Sequence, residues 1–408
     1  MQISIARKID YWLGIPICFI LSIFHKIQNI FTSRHLQEVM PKKILFLELS
    51  EMGSAILAYS AIKKVKEMYP EAELYFWIFR KNQDSVHILN IIPKQNVIVM
   101  RSGSFILLLT DTLKNFLRIR REGIEVVIDM ELFSRFSSIL TYLSGAKIRV
   151  GFHKFYLEGL YRGNLHTHKV SYNPYMHISK NFLALIYSLK AFTKEVPLIK
   201  ISLMNHETTL PKIKSNDTKK EKIWQKLGEI NDEIHKRNKL IILNAGISEI
   251  LPLRRWPIEN YTELTKRLLT DREIFIILVG IESQSFVGKI NYPQKDSHII
   301  NLIGKTTIEE LLALYNISTL LISHDSGIPN LASLTDINMI VLFGPETPHL
   351  YAPLTSNKIV LYKNFACSPC ITAYNYRRSV CKNNRCLQAV TVEEVYTAAK
   401  SYLYNSEK

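Results

Sequence analysis

The feature that most constrains the fold of this chain is the alternation of short apolar runs with longer amphipathic segments. Short runs rich in Ile, Leu, Val and Phe are typical of buried parallel strands, and the segments between them are long enough for helices. Two such series, separated by a charge-dense stretch, predict two doubly wound parallel sheets with helices on both faces. The predicted strands are residues 43–49, 73–79, 96–100 and 125–129 in the first series, and 240–244, 274–279, 299–302, 320–323 and 338–343 in the second.

The length of 408 residues is too great for a single hydrophobic core, which stops growing at about 250–300 residues. We therefore expect residues 41–205 and 239–390 to form two Rossmann-like domains that face a central cleft. Residues 206–238 are predicted to be a linker or edge helix, residues 391–408 a C-terminal helix, and residues 1–40 a membrane-association segment. Ligands of such sheets bind beyond the carboxyl ends of the strands, so the loops there are the candidate sites.

The composition narrows the classes of protein that this chain can represent. A charged fraction of 22% with 47% hydrophobic residues excludes a disordered chain. Five cysteines are too few for a disulfide scaffold, which favours the reducing cytoplasm. The net charge of +16 predicts an anionic partner, which is nucleic acid, an anionic membrane surface or a phosphorylated substrate.

The N-terminal segment contains a charge-free apolar run over residues 11–24, flanked by cations at Arg7, Lys8 and Lys26. The run is shorter than the roughly 20 residues of a bilayer-spanning helix, and no signal-peptide cleavage site follows it. Beyond Lys26 an apolar stripe continues with polar residues opposite. This pattern favours a helix lying in the membrane interface, with a spanning helix and a helix buried in the protein as the alternatives.

The first candidate loop follows the strand at residue 43 and contains Ser50, Glu51, Gly53 and Ser54. Gly53 allows close approach of a ligand, and a carboxylate at a strand end is what a general base requires. The alternative is that Ser50 caps the following helix and Glu51 complements its dipole.

Two further loops belong to the second series. Gly246 and Ile247 follow a strand, and the paired Arg254 and Arg255 could hold a pyrophosphate, with a capped helix start and Trp256 in the core as the alternative. A third loop follows the predicted strand 320–323, and a glycine turn follows the next predicted strand, 338–343. Cap residues and glycines there could direct backbone N–H groups at an anion. The third loop contains Asp325, Ser326, Gly327 and Asn330, with Gly344 on the neighbouring strand.

A basic and aromatic tract begins at residue 147 and contains Arg149, His153, Lys154 and His177. Such residues could hold a phosphorylated or carboxylated acceptor, or nucleic acid. The C-terminal cysteines form a different pattern, in which structural zinc, free thiols and disulfides are all open. They are Cys367, Cys370, Cys381 and Cys386.

Taken together these loops resemble those of glycosyltransferase family nine, the ADP-heptose lipopolysaccharide heptosyltransferases. The resemblance lies in Leu49 to Gly53, Arg255 to Pro257, Asp325 to Gly327 with Leu342 to Pro345, and the cysteine tail. It implies the GT-B fold and an inverting, metal-independent transfer of a sugar, expected to be a heptose, from an ADP-linked donor to a lipopolysaccharide core. The second domain would bind the donor and the first domain the acceptor, with no cofactor.

The resemblance also assigns roles to residues. Gly246, Ile247, Arg254, Arg255 and the loops at Asp325 and Gly344 are expected to contact the donor, with Arg255 in place of the family's Lys and Asn330 in place of its His. Gly53 and the basic tract are expected to contact the acceptor. Ser54 stands where the family's proposed base is an Asp, so we predict that Glu51 is the base, with His153 as an alternative.

The partners implied are a nucleotide-sugar, a lipid-linked acceptor and the anionic inner face of the cytoplasmic membrane, without nucleic acid. Three other functions are compatible with the sequence. A GT-B epimerase or hydrolase would use the same donor without a lipid acceptor, a nucleic-acid-binding protein would use the positive charge, and a catalytically inactive scaffold would explain Ser54.

Overall fold

The computed structural model of the chain describes residues 3–31, 40–156, 158–191, 195–246, 251–280 and 297–404. It divides into two compact units, unit 1 with residues 1–209 and unit 2 with residues 210–408. Each unit contains one six-stranded sheet in which every pair of neighbouring strands is parallel. The predicted pair of doubly wound α/β sheets is therefore confirmed.

In unit 1 the strands lie in the order β3-β2-β1-β4-β5-β6. The chain winds outward from β1 in one direction and then, from β4, in the other, so the switch point of the sheet lies between β1 and β4. The strands are β1 Lys43–Leu47, β2 Glu73–Phe79, β3 Val97–Met100, β4 Val126–Asp129, β5 Ile148–His153 and β6 His168–Ser171. The helices are α1 Ile3–Trp12, α2 Gly14–Phe31, α3 Met52–Leu57, α4 Tyr59–Met68, α5 Gln83–His87, α6 Phe105–Glu122, α7 Arg135–Leu143 and α8 Ile178–Tyr187.

Unit 2 repeats this topology, with the strand order β12-β11-β10-β7-β8-β9 and a switch point between β7 and β10. Its central strands are continuous apolar runs because helices cover both faces of the sheet. The strands are β7 Lys239–Asn244, β8 Ile274–Leu278, β9 Ile299–Asn301, β10 Leu320–His324, β11 Asn338–Phe343 and β12 Lys358–Tyr362. The helices are α9 Asp217–Ile230, α10 Ile258–Leu268, α11 Ile308–Ile317, α12 Gly327–Ala332, α13 Pro348–Tyr351, α14 Arg385–Gln388 and α15 Val392–Tyr404.

The two N-terminal helices pack against α7 through a polar and small-residue face. The carboxylate of Asp10 accepts a hydrogen bond from the backbone N–H of Phe136 at 2.8 Å. Further along, Cys18 and His25 are buried, and the His25 ring packs edge-to-face on Tyr142. Most of the described apolar side chains from Tyr11 to Ile30 are exposed on the opposite side, among them Trp12 at 71% and Phe24 at 58% exposure. The stretch Arg7–Ile30 is also long and apolar enough for a membrane span.

The strands missing from the sequence prediction have a physical reason in common. β5 and β6 contain polar residues, such as Arg149 and Lys169, which interrupt the apolar pattern. β12 lies at the edge of its sheet and all its residues are only half-buried. Residues 147–154, described above as part of a basic and aromatic tract, thus lie largely on a strand.

Candidate functional site

In unit 1 the loop after β1 lies at the switch point, where a ligand crevice is expected in this topology. Glu51 directly precedes α3, and its Oε2 accepts a hydrogen bond from the hydroxyl of Ser54 at 3.3 Å. Glu51 is the N-cap residue of α3, and its side chain makes no cap hydrogen bond. Side-chain capping therefore does not account for Glu51, which is half-buried at the carboxyl edge of the sheet.

A second carboxylate, which the sequence analysis missed, holds this loop in place. Oε1 of Glu131 accepts hydrogen bonds from the backbone N–H groups of Leu49 at 2.8 Å and Ser50 at 3.0 Å, and from the Ser50 hydroxyl at 2.7 Å. Burial raises the pKa of Glu131, and these donors oppose that rise. Glu131 lies two residues beyond the end of β4. The criterion that selected Glu51, a carboxylate at the end of a strand, could therefore also have selected Glu131.

Behind the loop lies a buried charge network at the end of β4. The Asp129 carboxylate pairs with the Arg162 guanidinium, and its Oδ2 also accepts from the Ser137 hydroxyl at 3.0 Å and lies 3.1 Å from Nε2 of His166. Asp129, Arg162 and His166 are at most 3% exposed. The charges are compensated inside unit 1, as buried ions must be.

The predicted acceptor tract is distributed over several structural elements. The Arg149 guanidinium is buried and donates to the carbonyls of Leu165 and Ala146, both at 2.7 Å. His177 accepts from the N–H of Ser179 at the start of α8. Of the tract, His153 and Lys154 lie at the carboxyl end of β5, and burial lowers the pKa of His153 to about 3, so the ring is neutral.

In unit 2 the two strands at the switch point are joined through polar side chains. Nδ2 of Asn244, the last residue of β7, donates to the Ser323 hydroxyl on β10 at 3.0 Å, and the Ser326 hydroxyl lies 3.5 Å from the same atom. Gly246 is buried just beyond β7, whereas Ile247 lies outside the described residues. The second and third predicted loops therefore meet at one sheet edge.

Arg254 lies between two buried carboxylates at this edge. Its guanidinium is 3.2 Å from Oδ2 of Asp325 and 3.8 Å from Oε2 of Glu346. These ion pairs lack hydrogen-bond geometry, so Asp325 Oδ2, Glu346 Oε2 and Arg254 Nε have no hydrogen-bond partner in the described part of the chain. Buried polar atoms of this kind indicate a ligand, water or ion as their missing partner. Ser326, the N-cap residue of α12, makes no cap hydrogen bond with its side chain.

The segment that carries the two arginines is fixed by contacts on both sides. Nδ2 of Asn384 donates to the carbonyls of Leu253 at 2.8 Å and Arg255 at 2.7 Å. Trp256 is buried, as the structural alternative predicted, and its indole N–H donates to the carbonyl of Val390 at 2.8 Å. The backbone around Arg254 is thus preorganised, which lowers the ordering cost of ligand binding.

The histidine on β10 contributes no charge to this edge. His324 is buried, and burial together with Arg254 and Arg255 lowers its pKa to about 3. Its Nδ1 lies 3.3 Å from the hydroxyl of Tyr261.

Asn330 and Gly344 were also predicted to contact the sugar donor, and they lie in different surroundings. Asn330 is buried in α12, and its Oδ1 has no hydrogen-bond partner among the described residues. Gly344 is a packing position, because a Cβ there would lie 2.9 Å from Cβ of Leu387 and 3.2 Å from Sγ of Cys386. A larger side chain at Gly344 would therefore displace α14.

Glu346 makes the stability of unit 2 depend on pH. Burial raises its pKa from 4.5 to about 8, while Arg254 opposes that rise. Between these values the folded state keeps a proton that the unfolded state has lost, so this group's stabilising contribution decreases as the pH rises through that window. We expect Glu346→Gln to reduce the fall in Tm between pH 5.5 and 8.5, measured by calorimetry. Equal falls in variant and wild type would contradict this.

The four C-terminal cysteines surround a cavity of about 300 Å³ in unit 2. They are free thiols, with Cys386 buried and Cys367 exposed. Within the described ranges no group of three or more His, Cys, Asp and Glu side chains has an arrangement that could hold a metal ion. Of the three predicted alternatives, free thiols match the described cysteines. The described residues show neither a disulfide nor an arrangement that could hold zinc.

Comparison with known proteins identifies the family. The sequence profile of glycosyltransferase family 9 (heptosyltransferase) matches residues 113–379, which is more than half of the chain. The chain belongs to glycosyltransferase family 9. This confirms the family resemblance drawn from the loops and makes the chain a glycosyltransferase. The family 9 match includes the Arg254 and Asp325 loops, whereas the Glu51 loop lies before it.

Relatives of this family 9 chain align over most of its length. Lipooligosaccharide heptosyltransferase 2 of Campylobacter jejuni is 23% identical over 360 residues, covering 87% of this chain and 96% of the relative. The lipopolysaccharide core heptosyltransferase OpsX of Haemophilus influenzae is 23% identical over 335 residues, covering 80% of this chain and 86% of that protein.

Solved structures agree on the fold. ADP-heptose lps heptosyltransferase II of E. coli superimposes with a TM-score of 0.68 at 17% identity, covering 90% of this chain and all of that one. A family 9 glycosyltransferase from Veillonella parvula gives 0.65 at 19% identity, covering 90% and 98%. The fold of this family 9 chain is therefore that of these transferases.

Proposed function

We propose that the chain transfers a heptose from ADP-heptose to the core of a lipopolysaccharide or lipooligosaccharide, with inversion at the anomeric carbon and without a metal ion. The observation that carries this proposal is the half-buried Arg254 at the switch point of unit 2, beside buried carboxylate oxygens that have no hydrogen-bond partner among the described residues. The names of the aligned relatives support heptose as the sugar and the lipopolysaccharide core as the acceptor.

The donor would bind at unit 2 through its diphosphate. Arg254 and Arg255 would supply the positive charge that a divalent cation provides in other nucleotide-sugar enzymes. Burial raises the pKa of Glu346 to about 8, which reduces the negative charge that this carboxyl places near the phosphates. Backbone groups of Gly246, Ile247, Ser326 and Gly327 and the Asn330 amide are the further proposed donor contacts.

The acceptor hydroxyl would be activated at unit 1. In the proposed step Glu51 takes the hydroxyl proton, the acceptor oxygen bonds to the anomeric carbon, and the bond from that carbon to the diphosphate breaks. The charge that develops on the leaving ADP would be stabilised by the two arginines. Ser54 would orient Glu51 through its 3.3 Å hydrogen bond, and Gly53, His153 and Lys154 would contact the acceptor.

We further propose that the enzyme is peripheral on the cytoplasmic face of the inner membrane. The outward apolar face of α1 and α2, together with Lys8 and Lys26, is suited to insertion among anionic lipids. The polar inner face of these helices contacts α7. This contact favours helices that lie along the membrane surface over helices that span the bilayer.

Calorimetric titration with ADP-heptose, UDP-N-acetylglucosamine and GDP-mannose tests the donor assignment. We expect binding of ADP-heptose alone at equal concentrations, and an affinity roughly 10- to 100-fold lower for Arg254→Met, since a charge-assisted hydrogen bond contributes about 1.5–3 kcal/mol. Arg267→Met is the control, because Arg267 pairs with Glu263 and Glu393 on the exposed surface of the same unit. Preferred binding of another nucleotide-sugar, or an unaffected Arg254→Met variant, would contradict the assignment.

A further inference from the structure

Helix α6 of unit 1 presents a second apolar face to the outside. Its inner side includes the buried Asn115, whose Nδ2 donates to the carbonyl of Val99 at 2.9 Å. Its outer side consists of five large apolar residues spaced mainly four apart, each 50–72% exposed, so that they form one stripe along the helix. They are Phe105, Ile106, Leu109, Leu113 and Leu117, here named the α6 stripe.

The α6 stripe is not needed for the core of the described part of unit 1. Core contact is already provided by Ile119, which is buried, and by Leu108, which packs against the same cluster. Soluble proteins rarely expose contiguous apolar patches of several hundred Å², and those that they do expose are usually interaction sites. The α6 stripe therefore points to a partner.

The α6 stripe lies on the same face of the sheet as the N-terminal helices. Leu108 and Ile119 of α6 pack in one cluster with Phe136 and Leu140 of α7, and the Arg120 guanidinium donates to the carbonyl of Leu143 at the end of α7. Right-handed crossovers from β3 to β4 and from β4 to β5 place both helices on that face. Because α1 and α2 also pack on α7, the N-terminal helices and α6 are both neighbours of this helix on that face.

The charges around the α6 stripe are predominantly positive. Lys114 and Arg121 of α6 are exposed, as are Lys8 and Lys26 of the N-terminal helices. The acidic residues of these helices are already engaged by cations or backbone N–H groups. Asp111 pairs with Arg101 at 2.7 Å, Glu122 with Lys43 at 3.2 Å, and Asp10 accepts from the N–H of Phe136.

We propose that the α6 stripe is a second membrane-contact element, which inserts into the anionic monolayer beside α1 and α2 so that one face of unit 1 lies along the bilayer. This inference rests on the proposed function, because a lipid-linked acceptor requires the acceptor unit to work at the membrane. Apolar side chains enter the acyl region and the flanking cations meet lipid phosphates, which is the recognised chemistry of interfacial helices.

A second copy of the chain is a poorer occupant of this face. An isologous contact would bring the exposed cations of one copy against those of the other, and like charges across an interface oppose association. An anionic lipid surface has the complementary charge along the whole face. The two occupants make different predictions for the protein in solution.

Sedimentation of the full-length protein with vesicles tests the inference. The vesicles are phosphatidylcholine with 30% phosphatidylglycerol, and phosphatidylcholine alone. For Leu109→Gln/Leu113→Gln/Leu117→Gln we expect roughly 10-fold or greater loss of partitioning onto the anionic vesicles, because three apolar side chains no longer insert. Lys114→Glu/Arg121→Glu should also weaken binding to anionic vesicles while leaving the weak binding to neutral vesicles unchanged.

The matched control removes the same kind of exposed apolar side chain elsewhere. Ile201→Gln/Met204→Gln/Ile230→Gln changes three residues that are 49–53% exposed and lie outside α6, and it should bind vesicles within about twofold of wild type. Because the α6 residues are exposed, the Tm of their variant should also match wild type. Wild-type vesicle binding by the α6 variant would overturn the inference.

Two further outcomes separate this inference from its alternatives. If the α6 stripe instead joins two copies, wild type should sediment as a dimer without lipid and the α6 variant as a monomer. The two proteins should then bind vesicles equally, and the inference would be wrong. Vesicle binding needs no sugar transfer. If the α6 variant loses vesicle binding but wild type does not bind ADP-heptose, the proposed donor is wrong and the membrane face stands.

Discussion

Glu51→Gln is expected to lower kcat by about 10²- to 10⁴-fold at saturating donor and acceptor, which is the range supplied by general base catalysis. The amide keeps the size of the side chain and its ability to accept from Ser54 at 3.3 Å, so the loop should retain its conformation. What it loses is the ability to take a proton from the acceptor hydroxyl. Donor affinity, measured by calorimetry, should be unchanged because the donor is assigned to unit 2.

Two variants at the same sheet edge serve as controls for this result. Glu131→Gln removes a carboxylate that accepts three hydrogen bonds from Leu49 and Ser50, so its main effect should be on Tm. His153→Gln should leave kcat within a few-fold, because a ring whose pKa is about 3 is a weak base. Retention of wild-type kcat by Glu51→Gln would contradict the assignment, and a large loss in His153→Gln would transfer the role to the histidine.

Arg162→Met is expected to cause the largest loss of stability in unit 1. It leaves the Asp129 carboxylate without its cation in a site where both side chains are fully buried. Breaking a buried ion pair on one side costs about 3–5 kcal/mol. Since 1 kcal/mol corresponds to roughly 2–4 °C for a domain of this size, we expect the Tm of unit 1 to fall by about 6–20 °C in calorimetry.

The chemically matched control for Arg162 is another Arg–Asp pair in unit 1. Arg101 binds Asp111 through two guanidinium nitrogens at 2.7 and 2.8 Å, but its side chain is 40% exposed. Solvent screens this pair, so Arg101→Met should change Tm far less than Arg162→Met. Similar changes in the two variants would show that burial of the Asp129 network does not determine its contribution.

The elements predicted most accurately from the sequence were those with uninterrupted apolar runs. β2 and β11 have the predicted bounds, because strands covered by helices on both faces need continuous hydrophobic residues. β5 was missed because Arg149 stands within it. Its buried guanidinium is satisfied by carbonyls that come from other parts of the chain, which a local pattern does not contain.

In the candidate site, too, residues next to predicted strands could be found from the sequence, whereas contacts between residues far apart in the chain could not. Glu51, Arg254 and Asp325 could be chosen because they follow predicted strands. The topology of each sheet then places Glu51 at the carboxyl edge of the sheet in unit 1, and Arg254 and Asp325 together at the carboxyl edge of the sheet in unit 2. The pairing of Arg254 with Glu346 depends on the neighbouring positions of β10 and β11, which the sequence pattern does not define. The burial of Arg162 and His166 was missed for the same reason. A run of basic residues has the same sequence pattern whether it is exposed on the surface or buried in a network of ion pairs and hydrogen bonds.

Sugar transfer itself is the most direct test of the proposed function. The purified full-length protein is incubated with ADP-heptose and a lipopolysaccharide core acceptor that lacks the heptose, and the product is analysed by mass spectrometry and NMR. We expect an acceptor heavier by one heptose, with an anomeric configuration opposite to that of the donor, and release of ADP. Release of ADP or free heptose without a modified acceptor, or transfer with retention of configuration, would contradict it.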